Sequence, residues 1–310
     1  HHSIDAMKTR FAICSVLLTA VAWFLPIQGS AQNVYPINVV GYITQTLTPG
    51  YHYIANQLDD CLHNSVNLLL PVMPPGSRLY LWNVGNQTFD PPSHYLKPSG
   101  GPGYWDTEVF LDLGIGFVLY LPTPAVLTFV GEVMQGELTV AIAGSNKLSL
   151  VASKVPQETS LSGLGFPGSD GDNVLVPTGS LMSFSDAYTF FNPLGWYDPV
   201  GPVGSEGPVI RVGQSFFVQH PGPNTNWVRN FVVQKALGGS GEEKRPTIQR
   251  LSIQNTEVTL SISNPNRDTY LVQFSTDRAT WQTVATGQTG TTWTGPRPSS
   301  TLGFFQLIKL

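Results

Sequence analysis

Charged side chains are scarce in this chain. Asp, Glu, Lys and Arg make up 12% of 310 residues, and the formal net charge is −4. No basic cluster stands out against that mildly acidic background, which excludes nucleic acid as an electrostatic partner. Cysteine is scarcer still, with two residues in all. Cys14 lies in an apolar stretch near the start, so Cys61 stands alone in the remainder. An exported chain with one cysteine has no internal disulfide and must be stabilised by packing. Cys61 has no motif around it and is expected to be a buried, small apolar residue. Helix signals are also few. Asn64 begins a run to Leu70, stopped by Pro71, that reads as a short helix. Leu161–Phe166, ended by Pro167, occupies a corresponding place, but its glycines oppose a helix. Familiar catalytic signatures are missing. Gly204-Ser205-Glu206-Gly207 has the wrong spacing for a nucleophile elbow. His52, His63, His94 and His220 are scattered, with no spacing that sets two imidazoles on one metal.

What is present begins with a leader. His1–Ala6 read as a tag remnant or upstream sequence. From Met7, the charged Lys8 and Arg10 precede the apolar Phe11–Leu25, and Gly29-Ser30-Ala31 is a small-residue cleavage site. The apolar run of 15 residues falls short of the roughly 20 needed to cross a bilayer. Residues 1–31 are therefore expected to be removed near Ala31. The mature chain is expected to be secreted or held at the cell surface, with no membrane span.

The full sequence is rich in Gly (31), Pro (25) and aromatics (7 Trp, 11 Tyr, 16 Phe), most of them beyond the leader. Such a chain buries apolar surface and turns often, which is the pattern of an all-β protein. Gly103-Tyr104-Trp105-Asp106 returns as Gly195-Trp196-Tyr197-Asp198. Leu111-Asp112-Leu113-Gly114-Ile115-Gly116-Phe117-Val118 returns as Ile210-Arg211-Val212-Gly213-Gln214-Ser215-Phe216-Phe217-Val218. The phrases keep their order, which implies an internal duplication: two tandem related β domains, sandwich or barrel-like, over 34–135 and 137–235. Residues 236–245 read as a Gly-, Ser- and charge-rich linker. Residues 246–310 then read as a smaller β-sandwich module that folds and moves separately, with strands at Glu257–Ile262, Tyr270–Phe274, Trp281–Ala285 and Gly303–Ile308.

Tyr270–Asp277, followed by Trp281 and the aromatic pair Phe304-Phe305, resembles the fibronectin type III-like or immunoglobulin-like modules near the C-termini of many secreted bacterial proteins. At about 65 residues the segment is short for seven strands, so one or two strands are expected to be missing. The duplicated region resembles a class of secreted proteins of environmental bacteria in which such repeats precede this sort of module. That resemblance implies no activity and no catalytic residue.

Candidate sites centre on the duplicated aromatic phrases. Tyr104, Trp105, Asp106, Trp196, Tyr197 and Asp198 pair rings with carboxylates, the combination that stacks on sugar C–H faces and accepts hydroxyl hydrogen bonds. Asp106 and Asp198 are also the weak candidates for catalysis, since two facing carboxylates can cleave a glycosidic bond. In the competing reading the rings fill two cores and each Asp caps a turn. Asp170, Asp172 and Asn173 offer oxygens for Ca²⁺, but a calcium site takes 6–8 oxygens, and these residue types suit a turn. A binding, adhesion or surface-assembly role is expected, with polysaccharide or another surface protein as partner. The alternative is an extracellular hydrolase of glycoside or ester bonds carrying an accessory C-terminal module.

Overall fold

Val39-Val40-Gly41-Tyr42-Ile43 contains no polar residue to alternate with its apolar ones, and the strand it opens, Val39–Leu47, is buried on both faces at that end. A one-sided strand alternates; a two-sided one does not. In the computed structural model, which describes residues 38–201, 203–233 and 245–310, this strand is the junction of the protein. Val39 and Ile43 face one core with Phe117, Phe129 and Phe304. Val40 and Tyr42 face another with Leu251, Leu260, Tyr270 and Phe305. The leader and residues 236–244 of the linker lie outside the described residues.

The protein is all-β, built as several open sheets. Among the described residues the one α-helix is Val66–Leu69, within the stretch expected to be helical. It is far too short to cross a membrane, and no described helix is long and apolar enough to do so. Leu161–Gly165 is a turn, and strand Thr159–Ser160 pairs with Val209–Ile210 just before it.

One strand order occurs twice. In the first repeat the order across the sheet is Gly50–Ile54, Phe117–Leu121, Arg78–Asn83, Ser93–Leu96, Tyr104–Trp105. In the second it is Lys147–Val151, Phe216–His220, Asn173–Leu175, Tyr188–Phe191, Gly195–Tyr197, with Val203–Ser205 added at the end. Registers match as well: Leu79 lies opposite Leu119, as Val174 lies opposite Val218. Each repeat also pairs its opening strand with its closing one, Val39–Leu47 with Ala125–Glu132 and Gly136–Ile142 with Thr225–Phe231.

The repeats grip each other reciprocally. The Ala55 N–H donates to Gly213 O (3.0 Å), and the counterpart Ala152 N–H donates to Gly114 O (3.0 Å). Ser215 N–H donates to Tyr53 O (3.3 Å) and Gly116 N–H to Leu150 O (3.1 Å). Between the sheets lies a shared core of Tyr53, Tyr80, Val118, Leu150 and Phe217. This is the pattern of an isologous interface, in which each contact occurs twice. On such an axis a residue meets its own counterpart. Gly116 and Ser215 do so: a Cβ on Gly116 would lie 2.5 Å from the Ser215 Cβ, so the contact holds one side chain and not two.

The C-terminal segment is part of this body, which corrects the expectation of a module that moves separately. Leu302–Lys309 pairs antiparallel with Val39–Leu47, with Val39 opposite Gln306 and Ile43 opposite Leu302. The resulting sheet runs Gln282–Gln288, Tyr270–Ser275, Leu302–Lys309, Val39–Leu47, Ala125–Glu132. A three-stranded sheet of Thr247–Gln254, Glu257–Ser263 and Thr292–Pro296 contributes to the second core. The physical reason is size. Six strands leave one apolar face of Leu302–Lys309 without cover, and the first repeat supplies it. Gly41 permits the approach, since a Cβ there would lie 2.5 Å from the Phe304 ring.

The turn after Tyr270–Ser275 adds a second tie. Arg278 inserts its guanidinium between the rings of Phe231 (5.4 Å) and Phe304 (5.1 Å), joining the second repeat to the C-terminal segment. Burial, and secondarily Arg229, lowers its pKa to about 10. Asp277 organises the turn by accepting the N–H groups of Thr280 (2.7 Å) and Ala279 (2.8 Å). These bonds bring its carboxyl pKa down to about 2. A carboxyl whose folded pKa lies below its unfolded value, near 4, stabilises the fold above that value and loses the effect as pH falls through the folded one. The turn should therefore weaken between about pH 4 and pH 2. Asp277→Asn should show a smaller loss of melting temperature across that window than the parent protein. Equal losses in the two proteins would contradict this.

Candidate functional site

The duplicated aromatic phrases lie in the corresponding hairpin of each sheet, and register shows how they correspond. Tyr95 lies opposite Trp105, and Phe190 lies opposite Trp196. The two tryptophans are therefore counterparts, although they stand at different places in the phrases. Trp105 is 3% exposed and Trp196 1%. Each meets its cross-strand ring edge-on, at 5.5 Å and 67° in the first repeat and 5.2 Å and 70° in the second. Trp105 Nε1 donates to Leu70 O (2.9 Å). Both tryptophans are core residues, so neither ring is available to stack on a ligand. In each pair the tyrosine alone is exposed.

Side chains next to an inward residue on a strand point outward. In the first repeat this outer face carries Tyr104, 47% exposed, directly opposite Leu96, 41% exposed. In the second it carries Tyr197, 40% exposed, against Phe191, 43% exposed, with ring centroids 6.5 Å apart. Leu194 and Val200, near them in sequence, are exposed as well. Each repeat thus ends in a shallow patch of one tyrosine and one large apolar neighbour.

The carboxylates are engaged locally. Asp106 occupies the place of Tyr197 and not that of Asp198. It accepts the His94 N–H (2.8 Å) and lies 3.2 Å from His94 Nδ1. The backbone bond from His94 holds its pKa below the usual carboxylate value. Asp198 accepts the Val200 N–H (2.9 Å). Its charge also reinforces the burial that raises the Tyr188 hydroxyl pKa. Asp106 is thus tied to the neighbouring strand and Asp198 to its own turn, on different sheets.

The Asp170–Asn173 oxygens are divided among four partners. Asp170 accepts the Asn192 N–H (3.0 Å), Asn173 Oδ1 accepts the Thr189 hydroxyl (2.7 Å), and Asp172 Oδ2 accepts the Ser169 N–H (2.8 Å). Asp172 Oδ1 lies 2.5 Å from His220 Nδ1, and both residues are buried. Sequence spacing gave no hint of this pair. Only the antiparallel register, Val174 opposite Val218, brings the residues two steps further on into contact. Among the described residues no group of three His, Cys, Asp or Glu is placed to hold a metal.

Cys61 is exposed, in contrast to the expected burial. It sits at φ 61° in the turn Asp59–Asn64, where backbone geometry and not packing sets its place. Partial burial of the sulfur, then Asp59, Glu132 and Asp60, raises the thiol pKa. The thiolate that a nucleophile needs is thereby disfavoured. Compared with known proteins, the chain matches no family model and no curated protein.

Proposed function

We propose that this is a secreted or cell-surface binding protein, with roles in adhesion or surface assembly, that engages a glycan through two tyrosine patches, one on the corresponding hairpin of each repeat. One observation carries the reading: the exposed pairs Leu96–Tyr104 and Phe191–Tyr197 stand on the corresponding hairpin of each repeat. A tyrosine offers an apolar face for sugar C–H groups and a hydroxyl at its rim. Two shallow sites on one rigid body suit a repeating polymer, because the second contact is made at the effective concentration set by the first. The leader at residues 7–31 supports an extracellular setting.

The test is binding to a glycan array, with hydrolysis of each bound glycan assayed in parallel. Tyr104→Ala and Tyr197→Ala should each weaken binding by up to about tenfold, since a stacked ring contributes on the order of 1 kcal/mol. The double variant should fall to background. Melting temperatures should barely move, as surface changes stay within about 0.5 kcal/mol. A double variant that binds glycan as the parent does would refute the reading.

A further inference from the structure

The first repeat does not leave the second edge of its opening strand bare. Val39–Leu47 has Ala125–Glu132 on one side and Leu302–Lys309 on the other. Its counterpart, Gly136–Ile142, has Thr225–Phe231 on the matching side. Among the described residues nothing pairs with its other edge. Two marks align these strands. Ile43 lies opposite Phe129 and Val140 opposite Trp227, with all four buried. Counted from these residues, the next strand also starts at the same distance, seven residues on in both: Ile43 to Gly50 and Val140 to Lys147. Thr44 thus corresponds to Ala141. Thr44 donates its N–H to Thr301 O, just before the added strand, so the Ala141 N–H points to the bare edge.

A groove of about 780 Å³ runs along this edge. Thr139–Ala143 form one wall, and Trp82, Leu113 and Ile115 of the first repeat stand across it. The matching cleft on the first repeat is flanked by Arg211 and Val212, the counterparts of Asp112 and Leu113. There Arg278, Thr301 and Leu302 of the C-terminal segment line the space.

We propose that the Gly136–Ile142 edge accepts a β-strand added by a partner protein, an extended segment with the chemistry of Leu302–Lys309: a small residue followed by adjacent aromatics. A bare edge is a row of unpaired donors and acceptors. Main-chain bonds hold an added strand, and alternate side chains select it. Here the selecting wall is Trp82, Leu113 and Ile115. The chain's own aromatic strand is engaged elsewhere, with Phe304 and Phe305 fully buried. Gly136–Ile142 carries no aromatic of its own, so edge-to-edge pairing of two copies leaves that wall unfilled.

The probe is a labelled synthetic peptide with the sequence of residues 301–310, titrated into the full protein. Ala141→Pro removes one N–H from the bare edge and none from the ladder with Thr225–Phe231, a position where proline is tolerated. One peptide should bind per protein, and Ala141→Pro should weaken it at least about tenfold. Amide exchange at Thr139 and Ala141 should slow when peptide is added. No binding at the solubility limit, or binding indifferent to Ala141→Pro, overturns the proposal. Slowed exchange at Thr139 and Ala141 in self-associated protein without peptide also overturns it, in favour of a second copy. Changed exchange at Tyr42 and Thr44 on adding peptide overturns it as well, by showing displacement of the native strand. If Ala141→Pro fails to fold, the exchange measurement on the parent protein decides.

Discussion

Deleting Leu302–Leu310 is expected to abolish the cooperative fold of the whole described body, including the first repeat more than 160 residues upstream of the cut. The strand lies in the middle of its sheet, between Tyr270–Ser275 and Val39–Leu47. It places Phe304 in the core of the first repeat and Phe305 and Leu307 in the core beyond. Truncating one buried Phe to Ala costs about 3–5 kcal/mol. Removing two, with a leucine and two ladders of hydrogen bonds, exceeds the roughly 5–15 kcal/mol that separates folded from unfolded domains. The measurement is a urea melt with near-ultraviolet circular dichroism. The truncated chain should show no native signal and no sharp transition. Survival of a sharp transition for the first repeat would mean that the C-terminal strand is an accessory and not a shared element.

Trp196→Ala should cost about 3–5 kcal/mol and lower the melting temperature by about 10 °C or more, with Trp105→Ala close behind. Trp196 contacts Phe166 and Phe190 at 5.9 and 5.2 Å in a core that also holds Phe216 and Trp227. Few neighbours there can collapse into the space an indole leaves. Trp105→Ala adds a second loss, because its Nε1 satisfies Leu70 O at the end of helix Val66–Leu69. The tyrosine variants form the internal control: Tyr104→Ala and Tyr197→Ala should melt with the parent. If the tryptophan variants melt like the tyrosine ones, the hairpins are not packed as described.

Some of this was legible in the residues. The phrase around Gly114 and Gly213 repeats because both glycines hold a left-handed turn, φ 89° and 74°, that carries the chain from loop to strand and across to the other repeat. The phrase therefore signals an interface as well as a fold. Val39–Ile43 announced two buried faces by lacking alternation. The aromatic phrases misled because the eye aligns them at their glycines, whereas the sheet aligns them at their tryptophans. A slip of one residue exchanges inside for outside. The Gly- and Ser-rich stretch before Pro246 suggested separation. Linker composition bears on the chain between two elements and not on which strand edges those elements share. The Asp172–His220 pair required a register that no local pattern encodes.

Val39–Leu47 is the first strand of the described chain to be synthesised, and Leu302–Lys309 the last. Its edge waits for its mate while about 260 further residues are made, which at 5–20 residues per second is roughly 10–50 s. Reciprocal contacts between the repeats, such as Ala55 with Gly213, are also distant in sequence, and loop closure makes such contacts slow to form. The first repeat therefore has no early, self-sufficient folded state in which to become trapped. A chain with this wiring does not complete the sheet around Val39–Leu47 until Leu302–Lys309 is available.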